Sequence, residues 1–230
     1  MDTSIIIAAL NEERTIARAI ERVRPFADEI IVVDGHSSDQ TAAIAEREGA
    51  RVIQDNRRGK GDAVRCGAMA AKNDILVFID ADLSHVANDI PAMVAPIAND
   101  EADLVIASRM RGGSDELHSS VAEAIRLIGS TIITQAINLR FSVRLTDYQN
   151  GYRAICRSTF LALDLQENIT TIEQEMAIKA LRLGYRVMEI PSHEFARTEG
   201  VSKINVLKVS YLYIWQLVRD LSCRSRKRAH

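Results

Sequence analysis

Cysteine is scarce in this sequence: Cys66, Cys156 and Cys223 are all that 230 residues contain, and no two stand in CxxC spacing. An odd, scattered set excludes a disulfide framework and a structural zinc site, and fits reduced thiols in a cytosolic setting. His36, His85, His118, His193 and His230 show no HxH or HxxxH spacing, so each reads as a surface or packing residue rather than a metal ligand. No stretch approaches the roughly 18 uninterrupted apolar residues of a membrane span. Met1-Asp2-Thr3 lead straight into an apolar strand, without the basic segment that opens a secretory leader. Neither GxGxxG nor the GxxxxGKS/T spacing of a P-loop occurs, which removes support for a dinucleotide enzyme or an ATPase. Internal repeats and low-complexity linkers are missing as well.

What is present suits one sizeable α/β core, with 47% hydrophobic and 26% charged residues. Apolar runs at Ser4–Ala9, Glu29–Val33, Arg51–Gln54, Ile75–Ile79 and Leu104–Ala107 alternate with helix-period stretches at Thr15–Val23, Thr41–Glu48, Asp62–Ala71 and Ile90–Ile97. That rhythm predicts a mostly parallel sheet flanked by helices. RGGSDE after Arg109 then reads as a flexible loop, Val121–Asn138 as a long helix, Ile172–Leu183 as another, and RVMEI as a strand. The net charge of −2 conceals a tail in which Arg219, Arg224, Arg226, Lys227 and Arg228 face only Asp220. Before it, Val206–Leu221 forms a helix with Tyr211, Tyr213 and Trp215 among aliphatics. A helix apolar nearly all round needs a partner or a bilayer interface. The tail is therefore assigned to an anionic membrane surface or a small membrane partner, and not to nucleic acid. Residues 1–205 are expected to form the catalytic domain and 206–230 the docking segment.

The distinctive polar residues stand at the ends of the predicted strands: Asn11 and Glu12, Asp34, Asp80 with Asp82, and Arg109. In open α/β sheets that edge is where ligands bind. Asp80 and Asp82 of VFIDADLSH lie two residues apart in extended chain and can aim into one crevice. Like charges so placed call for a cation, and Mg²⁺ or Mn²⁺ takes one or two carboxylates together with substrate phosphates. A solvated turn or helix cap around Asp82 and Ser84 is the plainer alternative. In RRGKGDAV, glycines flank Lys60 ahead of a helix, a place where backbone amides can meet phosphate. Arg126 and Ser130 are one helical turn apart. Arg197 and Lys203 lie in FARTEGVSK. These basic groups are either solvated charges or a site for a second phosphate.

Taken in order, SIIIAALNEE, EIIVVDGHSSDQT, GKGDAVRCGA, VFIDADLSH, DLVIASR, TDYQNGYRAI and EMAIKALRLGYRVMEIP resemble a family-2 glycosyltransferase of GT-A fold. The nearest branch is that of dolichyl-phosphate mannosyltransferases and polyprenyl-phosphate sugar transferases. The resemblance spans residues 4 to about 205. It implies that Ala8, Leu10, Glu12, Val32 and Asp34 hold the nucleoside, and that Asp80, Ala81, Asp82 and Ser84 surround the metal and diphosphate. It also implies that Arg109, Arg126, Arg197 and Lys203 contact phosphates. Ala8 stands where proline is common, Leu10 where an aromatic often is, and Gly35 where a second aspartate is usual after Asp34. The implied reaction is inverting, metal-dependent transfer of a hexose, mannose foremost, from GDP-mannose or a UDP-hexose to a polyprenyl phosphate. The implied place is the cytoplasmic face of a membrane. A phosphate acceptor is already ionised and needs mainly positive groups to position it, Arg126, Arg197 and Lys203 among them, with the Ser130 hydroxyl beside Arg126. With a soluble alcohol or sugar acceptor instead, Asp147 would act as base. Two further readings remain at this point. DADLS also satisfies the nucleophile motif of haloacid-dehalogenase phosphohydrolases, although three β–α units precede it. A non-catalytic nucleotide-sugar-binding subunit is the other.

Overall fold

The computed structural model describes residues 1–115 and 121–196, together with Tyr213, Trp215, Gln216 and Arg219; in residues 121–128 it places the helix but only the side chain of Leu127. Strands β1 (Thr3–Ala9), β2 (Glu29–Asp34), β3 (Arg51–Gln54), β4 (Ile75–Asp80), β5 (Leu104–Ser108), β6 (Arg153–Cys156) and β7 (Val187–Pro191) form a single sheet. Its order is β3-β2-β1-β4-β6-β5-β7. All pairings are parallel except those of β6 with β4 and β5. The helices are α1 (Ile16–Val23), α2 (Thr41–Arg47), α3 (Lys60–Ala70), α4 (Ile90–Ala98), α5 (Arg109–Gly112), α6 (Val121–Phe141), α7 (Arg157–Ala162) and α8 (Ile172–Arg182).

The central strands form because they are apolar at every position: Ile5, Ile6 and Ile7 of β1 and Ile75, Leu76 and Val77 of β4 are all buried. Alternate residues face two separate cores. Ile6, Ile31, Val33, Leu76 and Phe78 pack with α3 and α8 on one face, while Ile5, Ile7, Val32, Val77 and Ile79 pack with α1 and α4 on the other. This two-sided burial is the reason the runs do not alternate with polar residues.

The chain winds outward from β1 to β3 and returns through α3 to place β4 on the other side of β1. Such a reversal opens a crevice at the carboxyl ends of the strands. Register aligns Ala9 with Asp34 and Ala8 with Asp80 at that crevice.

Two elements depart from the expected pattern. Strand β6, RAIC, carries no strand signal in the sequence, because it is four residues long and begins with a charged residue. Arg153 is nonetheless buried; its guanidinium donates to the carbonyls of Tyr148, Asn150 and Glu173, which satisfies it inside the core. The expected loop after Arg109 begins instead as the short helix α5, capped by the Ser108 hydroxyl accepting from Arg111 N at 3.3 Å. No helix among the described residues is long and apolar enough to cross a membrane.

Candidate active site

Asp80 ends β4 beside Lys60, the first residue of α3. The Lys60 ammonium lies 2.8 Å from Asp80 Oδ1 and 3.0 Å from Oδ2, and 3.5 Å from Glu173 Oε1 on α8. His85, stacked on Tyr152 with ring centroids 4.9 Å apart, brings Nε2 to 3.8 Å of Asp80 Oδ2. Burial works against ionisation of Asp80, but the Lys60 ammonium and His85 outweigh it and hold the carboxyl below the usual range. Lys60 is likewise held above its ordinary value, because Asp80 and Glu173 outweigh its own burial. Glu173 is only 5% exposed, and its Oε2 has no hydrogen-bond partner. Burial pushes its carboxyl up despite Lys60 and Arg153. Arg153, on the far side of Glu173, is brought down to about 10 by burial, partly offset by Glu173 and Asp147.

A small cavity reaches in here from the crevice, lined by Ala8, Lys60, Asp80, Gly151, Glu173 and aliphatic side chains. Gly151 lets Lys60 approach closely. A Cβ there would sit 2.9 Å from Lys60 Nζ and 3.4 Å from Glu173 Oε1.

Asp82 comes next, in a tight turn. Its Oδ1 accepts from Ser84 N at 3.1 Å and Ser84 Oγ at 2.7 Å, and Leu83 between them has φ of 65°. A leucine in the left-handed region is strained, and such strain collects at functional sites. The turn that is the plainer alternative is thus real, but it is not solvated: Asp82 is 9% and Ser84 3% exposed. Among the described residues no three acidic, histidine or cysteine side chains are placed to hold a metal ion by themselves, so a hard cation at the aspartates would draw its other ligands from phosphate and water. Ser84 orients Asp82 through its hydroxyl.

Arg109, expected to contact phosphate, is paired here with acidic side chains. Its Nε and Nη2 donate to Asp147 at 2.7 and 2.9 Å, its backbone N donates to the same carboxylate at 3.0 Å, and Nη1 lies 3.4 Å from Glu194. The guanidinium thus faces two carboxylates. Asp147 is held below its usual range because Arg109 outweighs the effect of burial. Glu189 of β7 fixes the preceding turn, accepting from the backbone N of Thr146 and Asp147. Glu194 also accepts from Ser114 Oγ at 2.6 Å, and Phe195 N donates to Ser84 O at 2.8 Å. This cluster therefore abuts the Asp82 turn.

On the other side of β1, Asp34 is buried and accepts from Ser37 N at 3.2 Å through each oxygen. Leu10 is exposed, and Glu12 accepts from Thr15 Oγ1 at 2.9 Å at the start of α1. Val32 and Ala81, placed by the resemblance at the nucleoside and diphosphate, have side chains buried in the core facing α1 and α4. Packing accounts for both side chains. The amides of Gly61 and Asp62, expected to meet phosphate, donate instead to Asn168 O at 2.8 and 3.3 Å. Ser130 lies on α6; Arg197, Lys203 and the Arg126 side chain fall outside the described residues. Sequence reasoning does not reach Glu173 or Glu194. Glu173 sits among helix-period residues and Glu194 in a stretch without pattern, so neither carries a signal.

Comparison with known proteins agrees with this architecture. The family model "Glycosyl transferase family 2" matches residues 4–163. A mycobacterial relative, an uncharacterized glycosyltransferase of Mycobacterium tuberculosis, is 30% identical over 202 residues, covering 88% of this chain and 89% of its own. A dolichyl-phosphate hexose transferase of Haloferax volcanii is 26% identical over 193 residues, covering 83% of this chain and 81% of its own. Among solved structures, glucosyl-3-phosphoglycerate synthase of M. tuberculosis, crystallised with Mn²⁺, UDP and glucosyl-3-phosphoglycerate, superposes with a TM-score of 0.75 at 24% identity. That match covers 96% of this chain and 80% of the other. At that identity the likeness speaks for the fold. The family match sets aside the phosphohydrolase reading of DADLS.

Proposed function

This chain belongs to glycosyl transferase family 2, and from that premise we propose that it moves a hexose from a nucleotide-diphosphate sugar to a polyprenyl phosphate, with Mg²⁺ or Mn²⁺ bound at Asp80 and Asp82. The observation that carries the reading is the Asp80–Asp82 pair at the β1/β4 crevice, one strand away from Asp34. Asp34 and the exposed Leu10 take the nucleoside, with Ala8 and Glu12 flanking it. A divalent cation, when bound, neutralises charge that builds on the leaving diphosphate. Asp82, oriented by Ser84, supplies its carboxylate ligand. Lys60 holds Asp80 in one place, so that the carboxylate is pre-arranged before donor arrives.

The acceptor assignment draws support from the dolichyl-phosphate activity for which the Haloferax relative is named, and from Arg126, Ser130, Arg197 and Lys203 as groups suited to a second anion. Mannose is the hexose proposed. The segment 206–230, or a small membrane partner bound to it, places the enzyme at the cytoplasmic face of a membrane where such an acceptor resides. A soluble, phosphate-bearing acceptor is the second reading, favoured by the substrate of the structural neighbour.

The test offers GDP-mannose, UDP-glucose and Mn²⁺ together with a short polyprenyl phosphate, the matching polyprenol, or 3-phosphoglycerate. Transfer to the polyprenyl phosphate alone is expected. Transfer to phosphoglycerate alone establishes the second reading, and equal transfer to the polyprenol overturns the phosphate-acceptor assignment.

A further inference from the structure

The described residues of the C-terminal segment point one face at the body of the protein. Tyr213, Gln216 and Arg219 are three residues apart and share that face. Tyr213 Oη donates to Thr170 Oγ1 at 2.8 Å, and its carbonyl accepts from Gln174 Nε2 at 3.0 Å. Gln216, 1% exposed, donates to Thr171 O at 3.0 Å. Arg219 pairs with Glu167 Oε1 at 3.0 Å. Every one of these partners lies in residues 167–174.

The opposite side of the same stretch meets the start of α3. Asn168 O accepts from Gly61 N and Asp62 N, and Arg65 donates to Glu167 O and Asn168 Oδ1. A Cβ on Gly59 would lie 2.8 Å from Asn168 O, and one on Gly61 would lie 2.4 Å from Glu167 O. No slack separates the two segments. Lys60, whose ammonium holds Asp80 and Glu173, stands between those two glycines, and Glu173 itself comes directly after Thr171 and Ile172.

We propose that the C-terminal segment is a positioning element of the donor site: its Tyr213–Gln216–Arg219 face fixes residues 167–171, which in turn fix Lys60 against Asp80. The assignment of that site to donor binding rests on the function proposed above; the mechanical coupling does not. Close packing transmits displacement because interiors have little free volume. A part-exposed pair such as Arg219–Glu167 contributes little stability by itself, so its effect is sought at the site.

The experiment compares the full chain with Gln216→Ala and Arg219→Ala, with Arg219→Lys as the conservative control and Leu139→Ala, at a side chain 82% exposed on α6, as the remote control. Amide exchange in residues 59–66 is read without ligand. The two alanine variants should raise exchange at Gly61 and Asp62 by roughly tenfold or more, with Arg219→Lys restoring most of the protection and Leu139→Ala leaving it unchanged. Affinity for a nucleoside diphosphate with Mn²⁺ is then measured in a double-mutant cycle with Lys60→Met. An approximately fivefold to tenfold loss is expected with Lys60 present and almost none in Lys60→Met. Unchanged exchange at Gly61 and Asp62, or equal losses in both backgrounds, overturns the proposal. If wild type binds no nucleotide while the exchange response is present, the coupling stands and the donor-site reading falls.

Discussion

Replacing Asp147 with asparagine removes one charge from a buried cluster while leaving its volume nearly unchanged, and so separates a structural role from a basic one. Arg109 reaches Asp147 through Nε at 2.7 Å and Nη2 at 2.9 Å, and Asp147 is 2% exposed. Removing one partner of a buried pair costs about 3–5 kcal/mol. Glu194 remains 3.4 Å from Arg109, which places this case near the lower end, at about 3 kcal/mol. For a chain of this size that corresponds to a fall in melting temperature of roughly 6–12 °C. The pH dependence has a definite sign. Because Asp147 is held below its ordinary range, its stabilisation is complete above roughly pH 4 and is lost only as the pH falls through the depressed value. The gap between wild type and Asp147→Asn should therefore be flat from pH 8 to about 5 and close in stronger acid. Thermal melts across that range are the assay, run beside turnover at neutral pH. A variant that melts within about 2 °C of wild type yet loses on the order of 10³-fold in turnover would refute the structural role and make Asp147 a base.

Asp82→Asn should fold normally and lose on the order of 10²-fold in metal-dependent turnover; an Mn²⁺ titration with activity unchanged removes Asp82 from the cation site. Glu173→Gln should melt at the wild-type temperature or a few degrees higher near neutral pH, because the wild-type carboxyl is raised by burial and is costly to ionise there. In acid, where both side chains are neutral, the two proteins should converge, and a lower melting temperature for the glutamine variant at neutral pH contradicts the assignment. Gly151→Ala should weaken nucleotide binding by tenfold or so, since the added methyl meets Lys60 Nζ at 2.9 Å; calorimetric titration with nucleoside diphosphate and Mn²⁺ decides it.

Legibility in the sequence tracks burial. Strands β1, β2 and β4 can be read because a sheet covered on both faces demands uninterrupted aliphatics, and Ile5–Ile7 and Ile75–Ile79 supply them. The polar residues that end those runs, Asp34, Asp80 and Asp82, are visible for the same reason: they mark where the core stops. β6 is not legible. Arg153 breaks the apolar pattern, and only the fold supplies the three carbonyls that make an arginine tolerable there. Pairings across long sequence separation are equally hidden. Lys60 looks like a phosphate-loop lysine from its neighbouring glycines, yet those glycines serve close contact with residues 167–168. Arg109 and Asp147 each carry a plausible chemical role alone, and their mutual pairing over 38 residues changes both.

The reversed direction of β6 decides which stretch of chain walls the crevice. A strand running with its neighbours delivers its carboxyl-terminal continuation to the crevice, as β4 delivers Asp80 and Asp82 and β5 delivers Arg109. β6 runs the other way, so the stretch that reaches the crevice is the one preceding it, Thr146 to Gly151. That stretch is anchored at both ends, by Glu189 at Thr146 and by the Arg153 guanidinium on Tyr148 and Asn150. Between those anchors Asp147 is held by Arg109, Asn150 donates to Ala107 O at 2.7 Å, and Gly151 lies against Lys60, so the stretch has little room to vary. A change in this wall is thereby felt both by Arg109 at the end of β5 and by Lys60 at the start of α3, so the two sides of the crevice are mechanically one unit.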